Sequence, residues 1–388
     1  AFQNCHGITS VTIGRGVTSI GGSAFSNCDS LTSVVWNAEN CTKAGSLIYP
    51  IFDSRLTNIT IGDNVKTIPD YAFYECSDIT SVKIPDSVTN IGNWAFDACG
   101  GLKSVTIGSG VTSIGDGAFS HCGGLTSVVI PNSVTSIGNN AFSNCGGLTS
   151  VVIPDSITSI GNDAFSNCSK LTSAVWNAEN CIREGSNDNW QIFSNCSKLT
   201  TITIGDNVKT IPAYAFSGCS GLTNVVIPDN VTSIEEGAFY TCSGLTSVTI
   251  GNSVTSIGAY AFYNCSSLTS IVIPDNVTSI SEDAFYNCSS LTSVTIGNSV
   301  TTIENATFRS CSSLISVTIG NSVKRIDNYA FEGCTELKNV TIPDSVTSIG
   351  YSAFDNCSNL KEVFYKGTAS EWKNIDIDSR NSYLYNAK

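Results

Sequence analysis

The residues that could carry out chemistry are few and widely separated in this sequence. A nucleophilic triad needs a histidine beside a serine or cysteine, with an acid to orient it. The chain has 2 histidines, His6 and His121, each next to a repeated cysteine in a different part of the chain. We interpret both as variable turn residues. The sequence therefore predicts no catalytic residue and no enzymatic activity.

Acidic residues recur directly after proline, where paired carboxylates could hydrolyse a glycoside or bind calcium. Proline followed by aspartate is also common turn chemistry, and no segment resembles a calcium-binding loop. We interpret this row as turn residues, and it comprises Asp86, Asp155, Asp229, Asp275 and Asp344. Glycine-rich phosphate signatures and Cys-x-x-Cys pairs are also missing, so the sequence predicts no metal and no cofactor.

The chain has 17 cysteines, and fifteen of them follow a phenylalanine by three residues. Stacked equivalents would lie about 5 Å apart at Cα, but their parallel Cα–Cβ bonds would not suit a disulfide. We predict buried free thiols that pack as small apolar side chains. Cys41 and Cys181 depart from the pattern, and we expect them to react fastest.

These residues are positioned by a repeated unit of 23 residues, represented by residues 245–267, LTSVTIGNSVTSIGAYAFYNCSS. Self-similarity at such a period indicates a solenoid or a propeller. Val248 and Ile250 alternate with polar residues as in a strand, and a second extended segment follows near Ile257. A turn or a single helical turn then contains Phe262. One unit is too poor in apolar residues to fold alone, whereas stacked units form a continuous core.

The chain contains fifteen such units in succession, and the first begins at Ile8. Leu360 then starts a final strand. Two units are long: residues 31–55 comprise 25 residues and residues 171–198 comprise 28. Both contain the sequence WNAENC, in which tryptophan replaces the last isoleucine of the strand. Each long unit must therefore extend a loop, and we interpret the pair as the result of a duplicated six-unit block.

The composition of the chain disfavours several classes of binding partner. The net charge of −13 disfavours nucleic acid and anionic membranes as partners. No stretch of 18 apolar residues occurs, so the sequence predicts no membrane insertion. The chain starts in the middle of a unit, which leads us to expect further coils upstream.

The pattern LxxVxIPxxVxxIxxxAFxxC resembles the BspA-like leucine-rich repeats. The resemblance covers essentially the whole chain and includes the closing segment, where Gly367-Thr368 and Trp372 are similar to that family's terminal cap. We predict one β-rich repeat solenoid, a right-handed leucine-rich repeat superhelix of about 16 coils. The array should occupy residues 1–360 and the C-terminal capping segment residues 361–388.

The resemblance implies a bacterial or protozoan surface or secreted protein, often an adhesin for host or bacterial proteins. The repeat motif defines no functional residues, so none can be transferred. We expect a monomeric, non-enzymatic binding protein with a protein ligand. Two other functions stay open, a passive spacer that displays another domain and a carbohydrate-binding module that uses Tyr and Trp as sugar platforms.

Because a repeat surface is monotonous, we expect specificity where the repeat is broken. Tyrosine and tryptophan are also favoured at binding hot spots. The candidate ligand-binding residues are Trp36, Glu39, Asn40, Trp176, Glu179, Asn180, Tyr240, Tyr263 and Tyr286. Two alternatives stay open: each tryptophan turns inward to fill the space of the lost isoleucine, and the tyrosine rings simply cover neighbouring turns.

Overall fold

The computed structural model describes residues 2–183 and 191–386. The chain divides into two compact units, residues 1–199 and residues 200–388. In both units a coil contributes a longer first strand and a short second strand, and paired strands are parallel. The β-solenoid predicted from the 23-residue period is confirmed.

The described residues of the N-terminal unit form sixteen strands. In chain order they are β1 (Ser10–Ile13), β2 (Ser19–Ile20), β3 (Ser33–Trp36), β4 (Lys43–Ala44), β5 (Asn58–Ile61), β6 (Thr67–Ile68), β7 (Ser81–Lys83), β8 (Asn90–Ile91), β9 (Ser104–Thr106), β10 (Ser113–Ile114), β11 (Ser127–Val128), β12 (Ser136–Ile137), β13 (Ser150–Ile153), β14 (Ser159–Ile160), β15 (Ser173–Trp176) and β16 (Ile182–Arg183). The second strands from β6 to β16 form one six-stranded sheet.

In the C-terminal unit, residues 200–386 form sixteen further strands and two short helices. They are β17 (Thr201–Ile204), β18 (Thr210–Ile211), β19 (Asn224–Ile227), β20 (Ser233–Ile234), β21 (Ser247–Ile250), β22 (Ser256–Ile257), β23 (Ser270–Val272), β24 (Ser279–Ile280), β25 (Ser293–Thr295), β26 (Thr302–Ile303), β27 (Ser316–Thr318), β28 (Arg325–Ile326), β29 (Asn339–Ile342), β30 (Ser348–Ile349), β31 (Glu362–Tyr365), α1 (Ala369–Trp372), β32 (Asp376–Ile377) and α2 (Ser382–Asn386). The first strands from β19 to β31 form a seven-stranded sheet.

The strand register places each residue beside its own counterpart in the next coil. Strand β19 pairs with β21 so that Val225 lies opposite Val248 and Ile227 lies opposite Ile250. Along β21 the residues are alternately exposed and buried, as the sequence predicts. Because equivalent side chains share one face, the apolar positions of the coils within a unit merge into a continuous core.

A turn around one phenylalanine closes each coil. The Phe262 and Phe285 ring centroids are 5.2 Å apart and the rings are nearly parallel, and both rings are fully buried. Tyr260 and Asn264, two residues before and after Phe262, have φ values of 58° and 57°. These left-handed conformations reverse the chain on each side of the ring, so the segment is a turn and not a helical turn.

The repeated cysteines are buried beside the phenylalanine stack. The Cys265 thiol donates to the Phe239 carbonyl oxygen at 3.3 Å, and Cys288 donates equally to Phe262. Burial raises the pKa of Cys242 to about 12, which suppresses the reactive thiolate. The ladder cysteines, among them Cys242, Cys265 and Cys288, are free thiols, as predicted.

Fast reaction at the two irregular cysteines is not supported by their surroundings. Cys41 has no exposed surface, and its thiol donates to the Lys43 carbonyl oxygen at 3.4 Å. Cys181 is also buried, whereas Cys5 is partly exposed. Both thiols are therefore shielded from solvent although they lie in the irregular units.

The closing segment forms one more coil. Its first strand β31 pairs with β29, and its second strand β32 pairs with β30. Helix α1 begins with a capping box, in which Thr368 and Glu371 satisfy each other's backbone N–H groups. In α2, Leu384 is buried, and the preceding Asn381 side chain bonds to the Phe354 backbone N–H at 3.0 Å.

Truncation of a central ring should strongly destabilise the array. We expect Phe262→Ala to lower the free energy of unfolding by about 3–5 kcal/mol, because the neighbouring rings cannot close the cavity. Urea denaturation would measure the change, with the exposed Thr249→Ala as the control. A loss below about 1 kcal/mol would contradict the stacked position of this ring.

The thiols should react in two very different classes. In the native protein a chromogenic disulfide reagent should titrate Cys5 quickly and the buried ladder very slowly, because burial raises the thiol pKa and blocks access. In denaturant the titration should approach the 17 cysteines of the sequence. Rapid titration of most thiols under native conditions would contradict the buried ladder.

Candidate interaction surfaces

Both tryptophans of the long units point into the core. Trp36 lies opposite Ile13 and Ile61 in the neighbouring strands, and Trp176 lies opposite Ile153. Each indole is 0% exposed. These two residues are therefore withdrawn as ligand contacts, because a tryptophan in the last inward position of a strand fills the core.

The residues that follow Trp36 continue this filling. Ala38 and Cys41 are completely buried, and β4 aligns Ala44 with Ile20 of the preceding coil. The Trp36 ring also meets the Phe73 ring edge-on, with centroids 5.4 Å apart. The first part of the insertion therefore serves packing, and only its later residues project outward.

The four polar candidates of the long units lie at the surface. Glu39 and Glu179 are half-buried, while Asn40 and Asn180 are exposed. The Glu39 carboxylate lies 3.7 Å from the Arg15 guanidinium, itself largely exposed. A pair this open to water is a weak stabilising contact, so Glu39 can exchange it for another partner.

An apolar loop tip, which sequence reasoning missed, is the most exposed feature of the first long unit. We define it as Leu47, Ile48 and Tyr49, which are 56%, 76% and 59% exposed. Most other exposed positions of the array are serine, threonine or asparagine. The available signal was an apolar run without a counterpart in the regular repeat, located inside an insertion.

Backbone contacts hold the apolar loop tip in place. Ser46 and Tyr49 exchange backbone hydrogen bonds of 3.1 and 3.2 Å, which close a tight turn around Leu47 and Ile48. The following Pro50 carbonyl accepts from the Ser23 N–H at 2.8 Å. Tyr49 also rests on Gly22, where any Cβ would clash with it. The tip is therefore presented in a defined conformation.

The tyrosine row in the C-terminal unit forms a stack. Ring centroids are 4.9 Å apart between Tyr240 and Tyr263 and 4.8 Å apart between Tyr263 and Tyr286, with nearly parallel planes. All three rings are half-buried. Burial raises the pKa of the Tyr263 hydroxyl, and the neighbouring tyrosines raise it further. The row exposes ring edges and hydroxyl groups.

This stacking limits what the row can bind. A sugar stacks on an open aromatic face, but both faces of Tyr263 are covered by tyrosines. At one end the Arg309 guanidinium lies 5.8 Å from the Tyr286 centroid and 5.1 Å from the Tyr329 centroid. Arg309 is also bound to Glu332 at 2.6 Å. The row suits hydrogen-bonding and edge contacts better than sugar stacking.

The one histidine with an acid and a serine around it does not form a triad. His121 Nδ1 lies 2.9 Å from both the Asp97 carboxylate and the Ser120 hydroxyl. A triad needs the acid on one ring nitrogen and the nucleophile on the other. Here both groups share Nδ1, and Nε2 faces Asn144 at 3.3 Å. The group is a turn network between neighbouring coils.

The aspartates that follow proline also make structural bonds. Asp86 accepts from the Ser109 backbone N–H at 2.7 Å, and Asp229 and Asp275 accept similarly from the next coil. The bonds from Ser109 lower the pKa of the Asp86 carboxyl. Within residues 2–183 and 191–386, no group of three or more His, Cys, Asp or Glu side chains could hold a metal ion.

The repeats of this chain match a known protein family. The family described as BspA type leucine-rich repeat region matches residues 1–50, 49–172, 189–315 and 255–376. The chain belongs to the BspA-type leucine-rich repeat family. Leucine-rich repeat proteins are generally scaffolds for protein interaction. No curated protein matches this BspA-type chain.

Solved structures include several similar proteins. A leucine-rich repeat protein from Bacteroides ovatus is 33% identical over 77% of this chain and 82% of its own, with a TM-score of 0.58. A leucine-rich cell surface protein from Faecalibacterium prausnitzii is 30% identical over 96% of this chain and 91% of its own, with a TM-score of 0.40. A T. pallidum leucine-rich repeat protein is 32% identical over 41% and 72%, with a TM-score of 0.36.

The helices give no sign of a membrane span. Within the described parts of the BspA-type chain, no helix combines the length and the apolar character needed to cross a bilayer.

Removal of the central tyrosine should loosen the row. We expect Tyr263→Ser to lower the free energy of unfolding by about 1–3 kcal/mol, because it removes two stacked ring pairs. Urea denaturation of the variant and of the native protein would measure the change. An unchanged free energy of unfolding would contradict the stack.

Proposed function

We propose that this BspA-type chain is a non-enzymatic binding protein, secreted or displayed at a cell surface, that recognises a protein partner. Family membership supports the general role, since leucine-rich repeat arrays usually bind proteins and members with BspA-type repeats are often surface proteins. The observation that carries the proposal is the apolar loop tip, Leu47, Ile48 and Tyr49.

The apolar loop tip has the properties of a binding anchor. Burial of a large apolar side chain contributes about 1.5–3 kcal/mol to the free energy of binding. Three adjacent side chains can therefore supply a large part of the binding free energy of a specific complex. The turn between Ser46 and Tyr49 orders the tip in advance, which reduces the entropy lost on binding. The apolar loop tip therefore fits a concave apolar pocket on a partner protein.

The polar residues of the long units can add specificity. Glu39 and Asn40 are repeated by Glu179 and Asn180, six coils along the N-terminal unit. At the usual strand spacing the two sites would be about 29 Å apart. Two equivalent contacts at that distance could bind a repetitive or dimeric protein with an avidity that neither has alone.

The tyrosine row provides a separate surface in the C-terminal unit. Tyr240, Tyr263 and Tyr286 expose ring edges and hydroxyls, which suit the edge of a protein interface. The covered face of Tyr263 argues against a sugar platform. Protein binding by this surface is a second contribution to the same function and is independent of the apolar loop tip.

A matched pair of variants tests the role of the apolar loop tip. A partner is first captured on the native protein from an extracellular protein fraction, identified, and produced in pure form. We expect L47S/I48S/Y49S to weaken its affinity roughly tenfold or more, because hot-spot side chains are lost. Calorimetric titration of both proteins would measure the change.

The control removes exposed apolar residues elsewhere. V226T/V272T replaces two exposed valines on the first-strand face by threonine, the residue that neighbouring coils have. We expect this variant to keep the native affinity, and thermal melting should show that both variants fold. Unchanged binding by L47S/I48S/Y49S would exclude the tip, and a native protein without any saturable partner would favour the passive spacer.

A further inference from the structure

Strand β31 presents hydrogen-bonding groups that the described chain does not use. In inner coils the equivalents of Tyr365 bond to the next coil: the Ile296 N–H donates to the Thr318 carbonyl oxygen at 2.9 Å, and the Ile342 carbonyl oxygen accepts from the Lys366 N–H at 3.0 Å. By the same register, the Val363 and Tyr365 backbone groups face the outer edge of the sheet. Within residues 2–183 and 191–386, no further strand pairs with that edge.

The inward side chains of β31 are also incompletely covered. Val340 and Ile342 of the preceding first strand are 0% exposed, because β31 and its coil cover them. Their counterparts Val363 and Tyr365 are half-exposed. The difference arises from position, since every inner coil is covered by the coil that follows it.

A cavity of about 400 Å³ adjoins this edge. Its walls come from β31, the two terminal helices and the segment between β31 and α1. The lining residues are Val363, Tyr365, Gly367, Ala369, Trp372, Leu384 and Tyr385. Helices α1 and α2 thus flank the edge without filling the place that an apolar side chain of a further coil would occupy.

We propose that this edge binds an extended polypeptide segment, which adds a parallel strand to β31 and inserts a branched apolar side chain into the cavity. Such strand addition combines backbone hydrogen bonds with pockets for alternate side chains. The occupant is defined by continuity with the inner interfaces, where valine and isoleucine at alternate positions cover the preceding strand. The expected ligand is therefore a segment of the type Val-x-Ile.

The charged side chains near the cavity do not favour a charged ligand over an apolar strand. The Lys366 ammonium is bound to the Asn321 side chain at 2.7 Å, and the Glu371 carboxylate is occupied by Thr368 in the capping box. These contacts consume the charges closest to the cavity. Recognition then depends on strand shape and apolar side chains.

The probe is a synthetic peptide with the sequence of residues 337–343, LKNVTIP, which contains the whole of β29, the strand that pairs with the inner edge of β31. We expect saturable binding to the intact chain, measured by fluorescence anisotropy. At saturation, hydrogen exchange of the Val363 and Tyr365 amides should slow at least about tenfold, as expected for edge amides that become hydrogen-bonded. A peptide with lysine in place of its valine and isoleucine should not bind.

Two variants of the protein address the two parts of the site. Ala369→Trp fills the cavity from an exposed position of α1, and Val363→Pro removes an outward N–H, which an edge strand tolerates. Each should weaken peptide binding by about tenfold or more, the loss of one substantial contact. Thr341→Val, on the outward face of the preceding strand, should bind like the native protein.

Three results would overturn the proposal. One is no saturable binding up to about 1 mM peptide. Another is unchanged affinity in folded Ala369→Trp, which tests the cavity even if Val363→Pro does not fold. The third is binding without slower exchange at Val363 and Tyr365, which would place the peptide elsewhere.

Discussion

The structure depends on one constraint: each coil must be covered by a coil of nearly the same shape. A single 23-residue unit buries too little apolar surface to offset the entropy of ordering its chain, so stability comes from the interface between coils. Parallel pairing in register then sets equivalent residues side by side. The stacked rings of Phe262 and Phe285 and the bond from the Cys288 thiol to the Phe262 carbonyl are direct results of this arrangement.

The same constraint separates positions that can vary from positions that cannot. Inward residues meet their counterparts on both sides, so a change in one coil leaves a gap or a clash in the next. Outward residues and insertions meet water, and there the sequence departs from the repeat. The first long unit combines both cases: Trp36 and Cys41 remain in the core, while Leu47, Ile48 and Tyr49 extend from it.

The end of an array faces a different problem, because its last coil has a partner on one side only. In this chain, α1 and α2 flank the last coil, and Leu384 of α2 is buried. The Val363 and Tyr365 positions nevertheless stay half-exposed beside a cavity. A terminal coil of a solenoid thus covers the core of the coil before it and also presents a free edge with the shape that a further strand requires.

The sequence alone determined the fold, the strand positions within each coil, the inward cysteines and the location of the two long units. It could do so because the same pattern recurs in fifteen units, so each position is seen fifteen times. A strand whose residues are alternately buried and exposed can also pair with its neighbour in only one register. It also identified Glu39, Asn40, Glu179 and Asn180 as surface residues of the long units. Only the tertiary structure decided that Trp36 and Trp176 point inward and that Leu47 to Tyr49 project outward. An insertion has no counterpart in the next coil, so its path depends on individual contacts, such as that between Tyr49 and Gly22, which no periodicity encodes.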